Sequence, residues 1–282
     1  MDKKLSLHKK LLFSKAGLSL IEIIIALFIV VIISTFALRA YLSAHKVEGV
    51  QASISDTQQN ARASLNLLTD LFKVAGSFLP AGLRGIEGTN TNPDTVIIRF
   101  TNQSGTHFVQ NTIAAGGKAA LEIPLTDDTT GWAVGTKFYF WKVPSGPGQW
   151  LSVNSIITNN TKGVYEISFN EAALTSGCFA GDAILKLNEF KYYVDTTDVL
   201  NPALMQQDGL GVTGFLAEGL RSLNFQYTLS TGALVDAPSA GDIIKLVTID
   251  LTTATVDKDP DWKSDGGHRL RRLTTSVYLL SN

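Results

Sequence analysis

Residues 18–38 read LSLIEIIIALFIVVIISTFAL, 21 consecutive positions with a single charge, Glu22. As an α-helix rising about 1.5 Å per residue, the stretch covers about 31 Å, close to the roughly 30 Å hydrocarbon core of a bilayer. The seventeen residues before it, MDKKLSLHKKLLFSKAG, hold Lys3, Lys4, Lys9, Lys10 and Lys15 against Asp2, a net of +4. Arg39 stands alone just after the span, so the positive-inside rule places the N-terminus in the cytoplasm and everything past residue 40 outside it.

The whole-chain balance conceals this polarity. Among 282 residues there are 24 Lys plus Arg and 25 Asp plus Glu; without the first seventeen residues, 19 basic and 24 acidic residues are left, a net of −5. Charged residues make up only 17% of the chain, which argues against a disordered polyelectrolyte and against nucleic-acid binding driven by bulk charge. The mean hydropathy of +0.14, high for a soluble protein, is concentrated in the one apolar run.

A secretory signal peptide would have an apolar core of about 7–15 residues followed by a small-residue cleavage site. Here the run is longer, and the small pair Ala16-Gly17 precedes it. A plain signal anchor fits the length but has no need of a carboxylate near its start. An ionised group in the membrane costs roughly 2.5–3.5 kcal/mol even on insertion scales, which makes Glu22 a functional candidate. The bland alternative is a side chain at the interface reaching the headgroups.

The octet Lys15-Ala16-Gly17-Leu18-Ser19-Leu20-Ile21-Glu22, behind a basic leader and ahead of a long apolar helix, resembles the class III signal of type IV pilins and pseudopilins. The resemblance implies cleavage between Gly17 and Leu18 by a prepilin peptidase and N-methylation of Leu18, with Glu22 as the fifth mature residue. Leu18 stands where the family more often has phenylalanine. Removing the leader deletes five lysines and creates one ammonium at the helix start. In low dielectric an unpaired charge is heavily penalised, so pairing of Glu22 with its own or a neighbour's amine would favour docking and fix axial register.

The helical pattern continues beyond the span. No proline occurs before Pro80, and Ile54, Ala61, Leu65, Leu68, Phe72 and Ala75 recur at steps of seven, four, three, four and three, one helical stripe ending at a Gly76 stop. A helix from Leu18 to Ala75 would be 58 residues and about 87 Å long, with Gly49 and Ser53–Ser55 as weak points where a bend is expected. After residue 77 short β-prone runs alternate with Gly, Asn, Thr and Pro clusters: 95–101, 119–125, 137–143, 150–157, 163–169, 183–194, 223–229, 243–253 and 270–280. The fold class is therefore α+β: a leader (1–17), a transmembrane or filament-core helix (18–38), an amphipathic helix (39–76), and one antiparallel β globule (77–282) on which the helix packs, a pilin-like architecture.

Within the superfamily, the segment from Gln59 to Gly76, the stretch Leu216-Ala217-Glu218-Gly219-Leu220 with Leu223, Phe225 and Tyr227, and the C-terminal Thr274–Asn282 are similar to PilW-type minor pilins. The J-type pseudopilin of type II secretion shares much of this pattern, and residues 80–210 carry no resemblance. The implied role is a non-catalytic subunit in pilus assembly initiation or at the filament tip. It would sit in the bacterial inner membrane with a periplasmic C-terminal domain, and later in the pilus. The implied partners are the prepilin peptidase, other minor and major pilins, the inner-membrane assembly platform and a tip adhesin, with exposed loops in 80–215 making contacts. A signal-anchored extracytoplasmic enzyme is the alternative from another class.

Motifs for other chemistries are weak. Gly209-Leu210-Gly211-Val212-Thr213-Gly214 matches G-x-G-x-x-G in letters, but no strand or βαβ unit frames it, so a loop is expected and no cofactor. His8, His45, His107 and His268 are dispersed, and no hydrolase or metalloprotease motif is present. Asp257, Asp259 and Asp261 alternate in a way that suits Ca²⁺, yet Trp262 stands where an EF-hand loop needs glycine and His268 where it needs a bidentate glutamate; a solvated acidic loop is the competing reading. His268, Arg269, Arg271 and Arg272 form a basic run, but neighbouring strand residues face opposite sides. Cys178 is the only cysteine, so no intramolecular disulfide forms and a buried, inert thiol is expected.

Overall fold

The computed structural model describes residues 19–80, 82–101, 105–117, 120–143, 148–171, 173–199, 201–239, 241–255, 258–259 and 261–279. It divides into two units, 1–51 and 52–282. Helix α1, Leu20–Val74, contributes to both and includes Gly49 and Ser53–Ser55 without interruption. In the second unit it buries Ala61, Leu65, Leu68 and Phe72 of the stripe expected from the sequence, together with Thr57 and Ser64, which that apolar stripe did not include; Ile54 and Ala75 are half-buried at its ends. Thr57 and Ser64 bury their hydroxyls at no polar cost because each donates to the carbonyl four residues back, Ser53 and Asn60.

The helix ends where Gly76 takes φ +81°, the left-handed cap that only glycine adopts freely. The Gly76 N–H then leaves the helix to donate to the Arg99 carbonyl at 2.9 Å, joining the helix end to the first sheet.

Among the described residues fifteen strands follow: β1 Ile86–Thr89, β2 Thr95–Phe100, β3 Thr106–Phe108, β4 Ala120–Pro124, β5 Lys137–Trp141, β6 Gly148–Asn159, β7 Val164–Phe169 and β8 Ala183–Lys186, then β9 Asn188–Asp195, β10 Ala203–Asp208, β11 Thr213–Glu218, β12 Leu220–Leu229, β13 Leu234–Val235, β14 Ile244–Ala254 and β15 Leu270–Tyr278. The pairings among these strands are antiparallel. They build a five-stranded sheet, β1-β2-β9-β10-β11, a four-stranded sheet, β13-β12-β14-β15, and a six-stranded sheet, β3-β8-β5-β6-β7-β4.

The first two sheets and the helix share one core. Ala61, Leu65, Leu68 and Phe72 meet Val96, Ile98, Tyr192 and Leu204 of one sheet and Leu223, Phe225, Val247, Ile249 and Leu251 of the other; Phe72 sets its ring edge-on to Phe225 at 5.6 Å between centroids. At about 25 cal/mol per Å² of apolar surface removed from water, this burial is what holds the helix end on the sheets. Asp94 closes the seam between the sheets. Its backbone N–H donates to Leu223 O, and its carboxylate accepts from the N–H groups of Phe225 (2.8 Å) and Thr91 (3.0 Å), so it stands in for a strand along the free edge of β12.

The six-stranded sheet has a separate core of Leu121, Ile123, Phe138, Phe140, Leu151, Val153, Ile167, Phe169, Leu174, Cys178 and Ile184. It lies wholly between β2 and β9, which are direct partners in the five-stranded sheet, so residues 101–187 are a folded insert at a hairpin. β6 pairs with β5 through its first half and with β7 through its second, with a register shift near Val153–Ser155 that turns the sheet. Its two edges also meet. Gln110 N–H donates to Glu122 O at 2.8 Å, while the Asn111 amide donates to Ala120 O and accepts from Glu122 N–H. The sheet thus closes into a barrel, with an asparagine side chain acting as the missing peptide group.

One sequence reading needs correction here. The run 183–194, read as one strand, is two: β8 belongs to the barrel and β9 to the five-stranded sheet, with the hand-over at Leu187. Residues 52–282 form one compact unit that holds two hydrophobic cores, the second of them built from residues 109–184.

The insert is seated by an apolar joint of Ala183, Leu185 and Leu187 with Leu79, Leu83, Tyr139 and Trp141. Beside it Arg99, only 12% exposed, pairs with Glu189 at 2.6 Å and Glu87 at 2.8 Å and lies over the Trp150 ring of β6; Lys137 of β5 reaches the same Glu189.

Candidate functional site

The first unit is the strongest functional feature. From Leu20 to Gly49 every described residue is exposed, and an 18-residue window of α1 reaches a mean hydropathy of 2.9 with none of it buried. One helix near the N-terminus is thus long and apolar enough to cross a membrane. Side chains such as Leu20, Phe28, Ile33 and Phe36 are 61–76% exposed, an apolar surface that cannot face water without cost. The Ser19 carbonyl accepts the N–H groups of Glu22 and Ile23, so Ser19 sits at the N-cap and Glu22 lies in the first turn. There its carboxylate is next to the unsatisfied N–H groups of the helix start, where negative charge is favoured. Thr35, one of the few polar positions of the run, is quenched by donating to Val31 O at 2.8 Å.

No family model, curated protein or solved structure matches this chain.

The cleavage pair Gly17 and Leu18 and the first calcium candidate, Asp257, lie outside the described residues. Asp259 is buried, and its carboxylate is engaged: Oδ1 accepts from Asp261 N–H at 2.9 Å and Oδ2 from Arg269 at 2.6 Å. Those two contacts hold its carboxyl below the usual carboxylate range, the Asp261 N–H first and Arg269 second. A cation would have to displace the arginine, and Asp261 is exposed. Among the described residues no group of three or more His, Cys, Asp or Glu side chains is placed to hold a metal ion.

The basic run is dispersed as strand geometry requires. Arg269 pairs with Asp259, Arg272 with Asp250, and the buried His268 ring bonds Thr255 O at 2.6 Å. The glycine motif does follow a strand, contrary to the sequence reading, because the half-polar β10 shows no clear period; it forms the turn between β10 and β11, where Asp208 Oδ1 accepts from Leu210 and Val212 N–H, and a strand rather than a helix comes after it. Cys178 is buried in the barrel core, and burial pushes its thiol up.

Two clefts are invisible in the sequence because each is assembled from segments far apart along the chain. One, of about 370 Å³, is polar and lies along the outer face of the four-stranded sheet, where Asn224, Gln226, Thr248 and Thr274 face outward beside the Asp250–Arg272 pair. The other, about 550 Å³, lies at the end of α1 between residues 75–86 and the turn before β14.

Proposed function

We propose that the chain is a minor pilin of a type IV pilus, a non-catalytic subunit acting in assembly initiation or at the tip. The observation that carries this reading is the division of labour along α1. One stretch is bare, apolar and marked by a lone first-turn carboxylate, and the other is buried in a β domain. A subunit that waits in a bilayer and then joins a filament needs such a helix, since the same apolar surface is satisfied by lipid before assembly and by neighbouring helices after it. The octet Lys15–Glu22 supplies the processing signal, with cleavage between Gly17 and Leu18 and methylation of Leu18. Glu22 then compensates the new ammonium of its own or an adjacent subunit.

Glu22→Leu is the direct test, read by membrane fractionation and by the amount of chain in sheared filaments. Unchanged insertion with incorporation reduced about tenfold or more is expected, as loss of one desolvated charge pair would give. Normal incorporation would count against the proposal.

A further inference from the structure

The barrel 101–187 is seated on the body along β8 and β5, through Ala183, Leu185, Leu187, Tyr139 and Trp141, and the end at which β8 begins is closely tied. Asp182, just before β8, is 4% exposed and commits both carboxylate oxygens to backbone: Oδ1 accepts from Val143 N–H at 3.2 Å and Oδ2 from Phe179 N–H at 2.9 Å. Its own carbonyl accepts from Val109 N–H at 2.8 Å, and Gly181 N–H donates back to Val109 O. Three chain segments are thereby tied together, and each presents an apolar side chain to solvent: Phe108 is 55% exposed, Phe179 57% and Val143 39%. The Lys142 ammonium lies 4.8 Å from the Phe179 ring centroid and bonds Ser176 O; among the described residues it has no carboxylate partner.

Single exposed apolar residues are ordinary. Here two phenylalanines and a valine are fixed around one buried carboxylate, which spares a partner the entropic cost of ordering them, and an aromatic anchor beside an uncompensated cation is the usual make-up of an interface hot spot. We infer that this end of the barrel is a docking surface for a different protein, which it recognises through an apolar segment carrying a carboxylate. The apolar side chains enter between Phe108 and Phe179, and the carboxylate meets Lys142. The surface deepens the partner side of the filament reading, narrowing residues 80–215 to one rim.

The test uses the full chain in its native cells, with a photo-crosslinking benzoylphenylalanine at position 108 or 179 and, as control, at the equally exposed position 234 on the body. Expected is one crosslinked protein, different from this chain, at 108 and 179 but not at 234, joined through a segment with Asp or Glu among apolar residues. Lys142→Glu should cut the yield about tenfold, and a Lys-for-Glu exchange in the partner segment should restore it. Crosslinks to a second copy of this chain, to lipid, at no higher yield than position 234, or unaffected by Lys142→Glu would each overturn the inference. Filament incorporation measured in the same strains keeps this outcome separate from failure of the filament reading, since these positions lie outside α1.

Discussion

At the scale of residues, backbone approach and hydrogen bonding decide more than size. The Gly85 Cα lies against the helix cap, so that an added Cβ would fall 2.3 Å from Gly76 N and 2.4 Å from Gly76 Cα. Backbone cannot step aside as a flexible side chain can, and Gly85→Ala is expected to lose about 1–3 kcal/mol in chemical denaturation of the detergent-solubilised chain. Asp259 and Asp94 give opposite pH signatures. The Asp259 carboxyl is depressed by Asp261 N–H and Arg269, so its contribution is full above the ordinary carboxylate range, near about pH 4, and is lost as pH falls through the depressed value. Asp94 is raised by burial, against the two N–H bonds it accepts, so its contribution is full below that range and declines as pH rises through the raised value. Melting temperatures from about pH 2 to pH 7 should therefore show a shallower acid limb in Asp259→Asn. An unchanged limb would mean that the Arg269 pair adds nothing. None of these roles could be read from the sequence, where Asp259 stands in a row of carboxylates that suits calcium and its partner lies ten residues away.

Elements were legible where their burial is periodic. The stripe from Ala61 to Phe72 shows in the sequence because a helix buried on one side repeats every three or four residues. Phe72→Ala is expected to cost about 3–5 kcal/mol, whereas Leu67→Ala, on the exposed side of the same helix, should stay within about 0.5 kcal/mol; equal losses would contradict the packing described. Strands with alternating apolar residues, such as β2, β12 and β14, were equally plain. β3 and β13 have three and two residues, too few to show a period, and β10 and β11, ALMQQD and TGFLAE, are half polar. β8 and β9 run together because nothing in Lys186-Leu187-Asn188 marks a turn; the chain passes straight from one sheet to the next. Barrel closure was hidden for a related reason, since Asn111 looks like a loop residue and works as a peptide group. Asn111→Ala should leave Ala120 O and Glu122 N–H unpaired and lower the stability of the barrel by about 1–3 kcal/mol, measurable by hydrogen exchange in β4.

Across the whole molecule, the sequence pattern tells which faces are buried but not what they are buried against. It therefore revealed one helix and many strands, while the separation of those strands into two cores, with the barrel inserted between β2 and β9, required the structure. Arg99 joins them beside the apolar joint through its contact with the Trp150 ring, and replacing it with glutamine should leave Glu87 and Glu189 without the cation they share. Thermal unfolding of Arg99→Gln is expected to move the barrel and body transitions apart, with Trp150 fluorescence reporting the barrel joint. The polarity at the N-terminus belongs to this scale too: five lysines and Asp2 precede the one segment suited to a bilayer, and the rest of the chain is acidic. On the proposed reading that step in charge exists to be cut away. Mass spectrometry of the N-terminal peptide of the chain isolated from native membranes tests this directly. A peptide beginning at N-methylated Leu18 is expected, and a mature chain that keeps Met1 and its lysines would contradict the proposed function.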